Sequence, residues 1–170
     1  DTLNSGFKKF MEDAKFRQEA PFATSTEWYS YMKSVTPDSL QYYLEDSFEK
    51  ITIYNNKVKN ATYKKISDTE YEVTLEVESA TNYFGGNGKL LETGEKPNVI
   101  EIAVFDSDTK NEMGMTTKVP LILEKRWIKP GISTFTFTTD KIPVKAGIDP
   151  YNKLIDRIPD DNLKNVELEE

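Results

Sequence analysis

The sequence predicts an α+β chain that is all-β over most of its length: about three short helices, then an antiparallel, immunoglobulin-like β-sandwich. Three observations carry this. Apolar residues recur every three or four positions through the first fifty residues. Beyond Lys50 the period drops to two. Turn residues then punctuate the chain often enough to mark five to seven short strands, roughly the sandwich pattern. The expected divisions are a helical segment over 1–50, the sandwich over 51–148 and a tail over 149–170.

Phe7, Phe10, Met11 and Ala14 fall on one stripe of a first helix, which ends before the turn at Pro21. A second helix starts at Thr24, whose hydroxyl caps it while Glu27 reaches back, as in a capping box. Trp28, Tyr31, Met32 and Val35 form its apolar stripe. Thr36-Pro37-Asp38 opens a third helix: a capping hydroxyl, a proline suited to the first helical position, and an acid that favours the positive helix end. Leu40, Tyr43, Leu44 and Phe48 give that helix its apolar face. Three short helices with one apolar face each need a surface to pack on.

In the segment from Glu70 to Glu78, apolar residues alternate with Glu or Thr, the pattern of a strand with one wet face and one core face. Ile51 to Tyr54, Ala61 to Ile66, Val99 to Phe105, Leu121 to Trp127 and Ser133 to Thr139 are further strands. Turn signals separate them at Asn55-Asn56, Ser67-Asp68, Gly85-Gly86-Asn87-Gly88, Asp106-Ser107-Asp108 and Lys129-Pro130-Gly131. From Ala146 onward, turn residues mix with a few apolar ones, and Glu167 to Glu170 read as a frayed acidic end.

Composition narrows the chemistry. With 22 basic against 29 acidic residues the net charge is -7, a field that repels nucleic acid and anionic lipid. The lysines that cluster, Lys57, Lys59, Lys64 and Lys65, read as part of a mixed solvated surface. No apolar run approaches the ~20 residues that span a bilayer, so direct membrane insertion of this segment is not expected. The start at Asp1 has neither an initiator Met nor a signal sequence, as expected of a segment cut from a larger protein. The chain has no cysteine and no histidine. Thiol nucleophiles, Ser-His-Asp triads and His-Glu-x-x-His zinc helices all need one or the other, so those enzyme classes are excluded for this chain.

Carboxylate chemistry is what remains, and it needs two acids about 5–9 Å apart with divergent pKa values. Glu70, Glu72, Glu76 and Glu78 instead alternate along one wet strand face. Asp149, Asp156, Asp160 and Asp161 lack the spacing of a calcium loop and read as turn and loop caps. The glycines at 85, 86 and 88 lie between strands, not before a helix as in a phosphate cradle, and read as a loop tip. No catalytic, cofactor-binding or metal-ligating residue is therefore expected.

The segment Thr36-Pro37-Asp38-Ser39-Leu40-Gln41-Tyr42, leading into Phe48-Glu49-Lys50-Ile51-Thr52-Ile53-Tyr54, resembles the C-terminal part of bacterial proteins of the aminopeptidase N family of gluzincin zinc metallopeptidases. The tail, Val144 to Tyr151 followed by Leu154 to Asn162, looks like the end of the subset whose peptidase-like region is fused to, or encoded with, an ABC-type membrane permease. The resemblance implies that residues 1–50 are the last helices of a larger helical region, with the β-segment appended. It also implies a membrane-attached parent on the extracytoplasmic, periplasmic side, with zinc held by the parent alone. The family's catalytic His-Glu-x-x-His helix and its Gly-x-Met-x-Asn loop are absent here, so no catalytic role carries over.

The expected function is that of a non-catalytic accessory domain whose partner is the rest of the parent polypeptide. The helix face around Trp28, Tyr31 and Phe48 is the expected interdomain contact, partly exposed when the chain stands alone. The alternative is an independent module that binds a peptide or glycan through loops such as Gly85 to Leu90 or Asp106 to Met115.

Overall fold

The computed structural model describes residues 2–106, 109–110, 116–117 and 119–169. It is predominantly β, with three α-helices near the amino end and two main sheets, an α+β chain. Two compact units divide it, Asp1–Ile51 and Thr52–Glu170. Residues from 149 onward therefore group with the strands.

The helical unit holds α1 (Thr2–Ala14), α2 (Ser25–Val35), a 3-10 turn over Asp38–Leu40 and α3 (Gln41–Phe48). Thr24 caps α2 as its sequence requires: the Thr24 hydroxyl accepts from the Glu27 amide at 3.1 Å. The expected stripe on α1 is rotated. Phe10 and Ala14 are partly buried and Gly6 is buried, whereas Phe7 and Met11 are exposed. The cause is close helix approach. A β-carbon on Gly6 would lie 2.7 Å from Val35 Cγ2 and 2.9 Å from the Tyr31 carbonyl oxygen, so α1 meets α2 along its smallest residues. Thr36 also departs from its expected role. Its hydroxyl donates back to the Met32 carbonyl at 2.8 Å and leaves the 3-10 turn after it without a side-chain cap.

The β unit begins with β1 (Ile51–Lys65), which runs straight through the expected turn at Asn55-Asn56. Asn56 is fully buried: its amide N–H donates to Asp156 Oδ2 at 2.8 Å, and its Oδ1 accepts from the Ser79 hydroxyl at 2.7 Å. Then come β2 (Tyr71–Phe84), β3 (Leu90–Thr93), β4 (Asn98–Phe105), β5 (Thr109–Lys110), β6 (Thr116–Thr117), β7 (Pro120–Ile128), β8 (Gly131–Thr139), β9 (Lys145–Ile148), β10 (Leu163–Asn165) and β11 (Glu167–Leu168). One sheet runs β11-β1-β2-β3 with β8 also on β2; the other runs β10-β9-β4-β7; β5 and β6 pair as a ribbon.

Both sheets feed one hydrophobic cluster. Val73, Leu75 and Val77 of β2 and Phe137 of β8 come from one; Ile102 and Val104 of β4 and Ile148 of β9 come from the other. Each such aliphatic side chain contributes roughly 1.5–3 kcal/mol by leaving water. On the other face of β2 the glutamates meet the lysine cluster of β1: Lys64 pairs with Glu72 at 2.6 Å, and Lys57 and Lys59 pair with Glu78 at 3.0 and 3.4 Å. Cross-strand pairing thus occupies Glu72, Glu78 and three of the clustered lysines, while Lys65 pairs with Asp68 at 2.9 Å.

The last residues complete both sheets. β10 lies antiparallel on β9, and a β-carbon on Gly147 would sit 2.0 Å from the Asn162 carbonyl oxygen, so only glycine fits there. β11 lies parallel on β1, with Thr62 opposite Glu167, and the Glu169 amide reaches the Tyr63 carbonyl at 2.8 Å. The expected frayed end is paired as far as residue 169; Glu170 lies outside the described residues.

Candidate functional site

An open groove of about 510 Å³ runs between α2 and α3, lined by Ser25, Thr26, Trp28, Tyr29, Phe48 and Glu49. It exists because the apolar stripes of two short helices converge there without filling it. The Trp28 and Phe48 rings meet edge-on at 5.2 Å, and the Tyr29 ring is tilted against Phe48 at 5.8 Å. Phe48 nevertheless stays 57% exposed. Among the described residues of this unit, Met32 and Leu44 are the apolar side chains that become buried.

Polar groups fix the groove's walls. The Tyr29 hydroxyl donates to Glu49 Oε1 at 2.6 Å, which ties α2 to the end of α3. That hydrogen bond, burial, and the charges of Glu49 and Glu45 push the Tyr29 phenol up to about 12. The same bond holds the Glu49 carboxyl below the usual carboxylate range, and Lys33, 3.6 Å away, adds to it. Arg17 braces α2 from the other side, donating to Glu27 Oε2 at 2.8 Å and also reaching Asp13. Its bond is the first cause of the lowered Glu27 carboxyl, to which a backbone hydrogen bond at Thr24 also contributes.

Of the three residues expected to form a contact face, Trp28 and Phe48 come together and Tyr31 does not join them. Tyr31 packs edge-on against Phe10 of α1 at 5.9 Å and donates its hydroxyl to Asp13 at 3.1 Å. It belongs to the α1–α2 seam. Tyr29 and Glu49 are site residues that helical spacing does not single out; each directly follows a stripe residue, and Tyr29 also belongs to the aromatic run Trp28, Tyr29 and Tyr31. A second depression of about 160 Å³ lies on the same unit, lined by Leu3, Thr36, Pro37, Leu40, Tyr43 and Leu44.

The aspartates of the tail act on backbone. Asp149 accepts from the Lys153 and Leu154 amides at 3.0 and 2.9 Å, and Asp156 accepts from Asn56 and Ile158. Asp161 is the exception: burial first, then the charge of Asp156, raises its carboxyl. Among the described residues no group of three or more acids is placed to hold a metal ion, and no helix is long and apolar enough to cross a membrane. In the Gly85 to Leu90 loop, the Gly85 amide bonds the Lys89 carbonyl at 2.9 Å and Gly88 takes a positive φ, as a tight strand reversal requires. Most of the Asp106 to Met115 loop lies outside the described residues.

Compared with known proteins, the chain matches no family model and no curated protein.

Proposed function

We propose that this chain is a non-catalytic accessory domain, in which an immunoglobulin-like sandwich carries a helical unit that docks, by the Trp28–Phe48 face, on the peptidase-like ectodomain of a membrane-linked aminopeptidase-type parent. The observation that carries the docking reading is the exposure of Phe48 beside Trp28 on a unit with so few buried apolar side chains. An aromatic groove left open to water is costly unless something covers it in use. The sequence resemblance supplies the parent class. The absence of both imidazole and thiol from the chain supports a role played by contact alone.

The test is amide hydrogen exchange, measured on the 170-residue chain and on the longer polypeptide that carries it. Slower exchange across residues 25–32 and 45–49 in the longer protein is expected. Equal exchange in the two would sink the docking reading. Peptide hydrolysis by the chain alone, free of contaminating protease, would sink the non-catalytic one.

A further inference from the structure

The chemistry of the groove selects among occupants. Three aromatic rings, whose faces carry negative potential, line it together with Glu49. A second acid, Glu45, lies close enough for its charge to act on the Tyr29 phenol. The chain's own Lys33 already uses this combination: its ammonium stands 5.7 Å from the Tyr29 ring centroid and 3.6 Å from Glu49 Oε1. Rings with an adjacent carboxylate make a seat for a cation. The surrounding unit has the matching sign, with nine acidic and six basic residues over 1–51, a net of -3.

We infer that this groove receives a basic side chain, arginine or lysine, from the partner's surface, laid on the Trp28, Tyr29 and Phe48 rings with its charge against Glu49. This builds on the docking reading above and adds the chemistry of the occupant. Arginine is the better fit, since its flat guanidinium stacks on rings and still offers N–H groups to a carboxylate. Lys33 competes for the same acid from a side chain that is half exposed, so an incoming guanidinium displaces it.

Binding of small probes to the intact chain tests this without the partner. N-acetyl-arginine methylamide, its norleucine counterpart and its glutamate counterpart are titrated while the two tryptophan indole signals are followed by NMR, with Trp127→Phe assigning them. The arginine probe is expected to shift the Trp28 indole signal saturably, to leave that of Trp127 in place, and to bind about three- to fivefold tighter than norleucine. Glu49→Gln keeps an acceptor for Tyr29 but removes the charge, and should erase that preference. Lys33→Met should tighten arginine binding by removing the competitor, an effect that loss of structure would not produce. Norleucine binding as tightly as arginine overturns the inference and leaves an apolar docking face standing. Preference for the glutamate probe, or no shift of the Trp28 indole signal with any probe, overturns it too. The docking reading is judged separately, by exchange in the longer protein.

Discussion

The two units solve the same problem to different degrees. In the β unit, strands of both sheets close over aliphatic residues that water does not reach, and the chain's last residues cover the outer edge of β1. In the helical unit, the amphipathic stripes converge on Met32 and Leu44 but leave Phe7, Met11, Tyr43 and Phe48 about half exposed. The helical unit thus leaves open to water the kind of side chain that the β unit closes off, and that exposure is what the docking proposal rests on. It also predicts unequal stability, since few buried apolar contacts mean cheap local opening. Trp28 and Trp127 lie one in each unit, so their fluorescence reads the two separately.

The largest effect is expected where the β unit is tightest. Gly147→Val drives a side chain into the Asn162 carbonyl and should cost more than about 3 kcal/mol, seen as an early Trp127 transition in urea. Survival of that transition would mean the β10–β9 contact is looser than the geometry requires. Next, Leu44→Ala should remove about 2–3 kcal/mol and melt the helical unit alone, lowering helical circular dichroism while Trp127 is unmoved. If both tryptophans report one shared transition, the contrast between the units fails. Thr24→Ala takes away the α2 cap and should cost about 1 kcal/mol, on Trp28 only.

Acid gives the smallest and most selective effect. Glu27 and Glu49 have carboxyls lowered in the folded state, so their stabilisation is present above the unfolded value of about 4.3 and is lost as pH falls through the lower folded values. The Trp28 transition should therefore weaken below about pH 4, and Glu27→Gln should flatten that loss. Asp161 has the opposite sign. Its carboxyl is raised, so the ionised form opposes folding in full above the folded value; this penalty fades as pH falls through that value and is gone below the unfolded value of about 3.9. Asp161→Asn should raise the Trp127 midpoint slightly at about pH 7 and leave it unchanged near about pH 3; a gain of equal size at both would assign the effect to packing.

Periodicity makes most of the elements legible. The alternation from Glu70 to Glu78 leads directly to β2, and the Thr24 to Glu27 spacing leads to the start of α2. The misses share a cause: local signals that tertiary contacts override. Asn55-Asn56 has turn composition, but Asn56 is held in β1 by Ser79 and by Asp156, far along the chain. Residues 145–148 lack strand propensity because Ala146 and Gly147 are small, and the smallness of Gly147 lets β10 approach. The Trp28–Phe48 half of the groove is readable from helical spacing, whereas Tyr29 and Glu49 matter through a hydrogen bond between two helices that spacing within either helix does not encode.

The parallel seating of Glu167-Leu168 beside Thr62-Tyr63 also governs when this protein can become itself. A ribosome delivers β1 long before the segment that flanks it, with separations of 100 residues at Asn56–Asp156 and 105 at Lys59–Lys164. Such distant pairings are slow to form. Until residues 156–168 have emerged, the nascent first strand has a bare flank, and a chaperone or a second nascent chain would find it there.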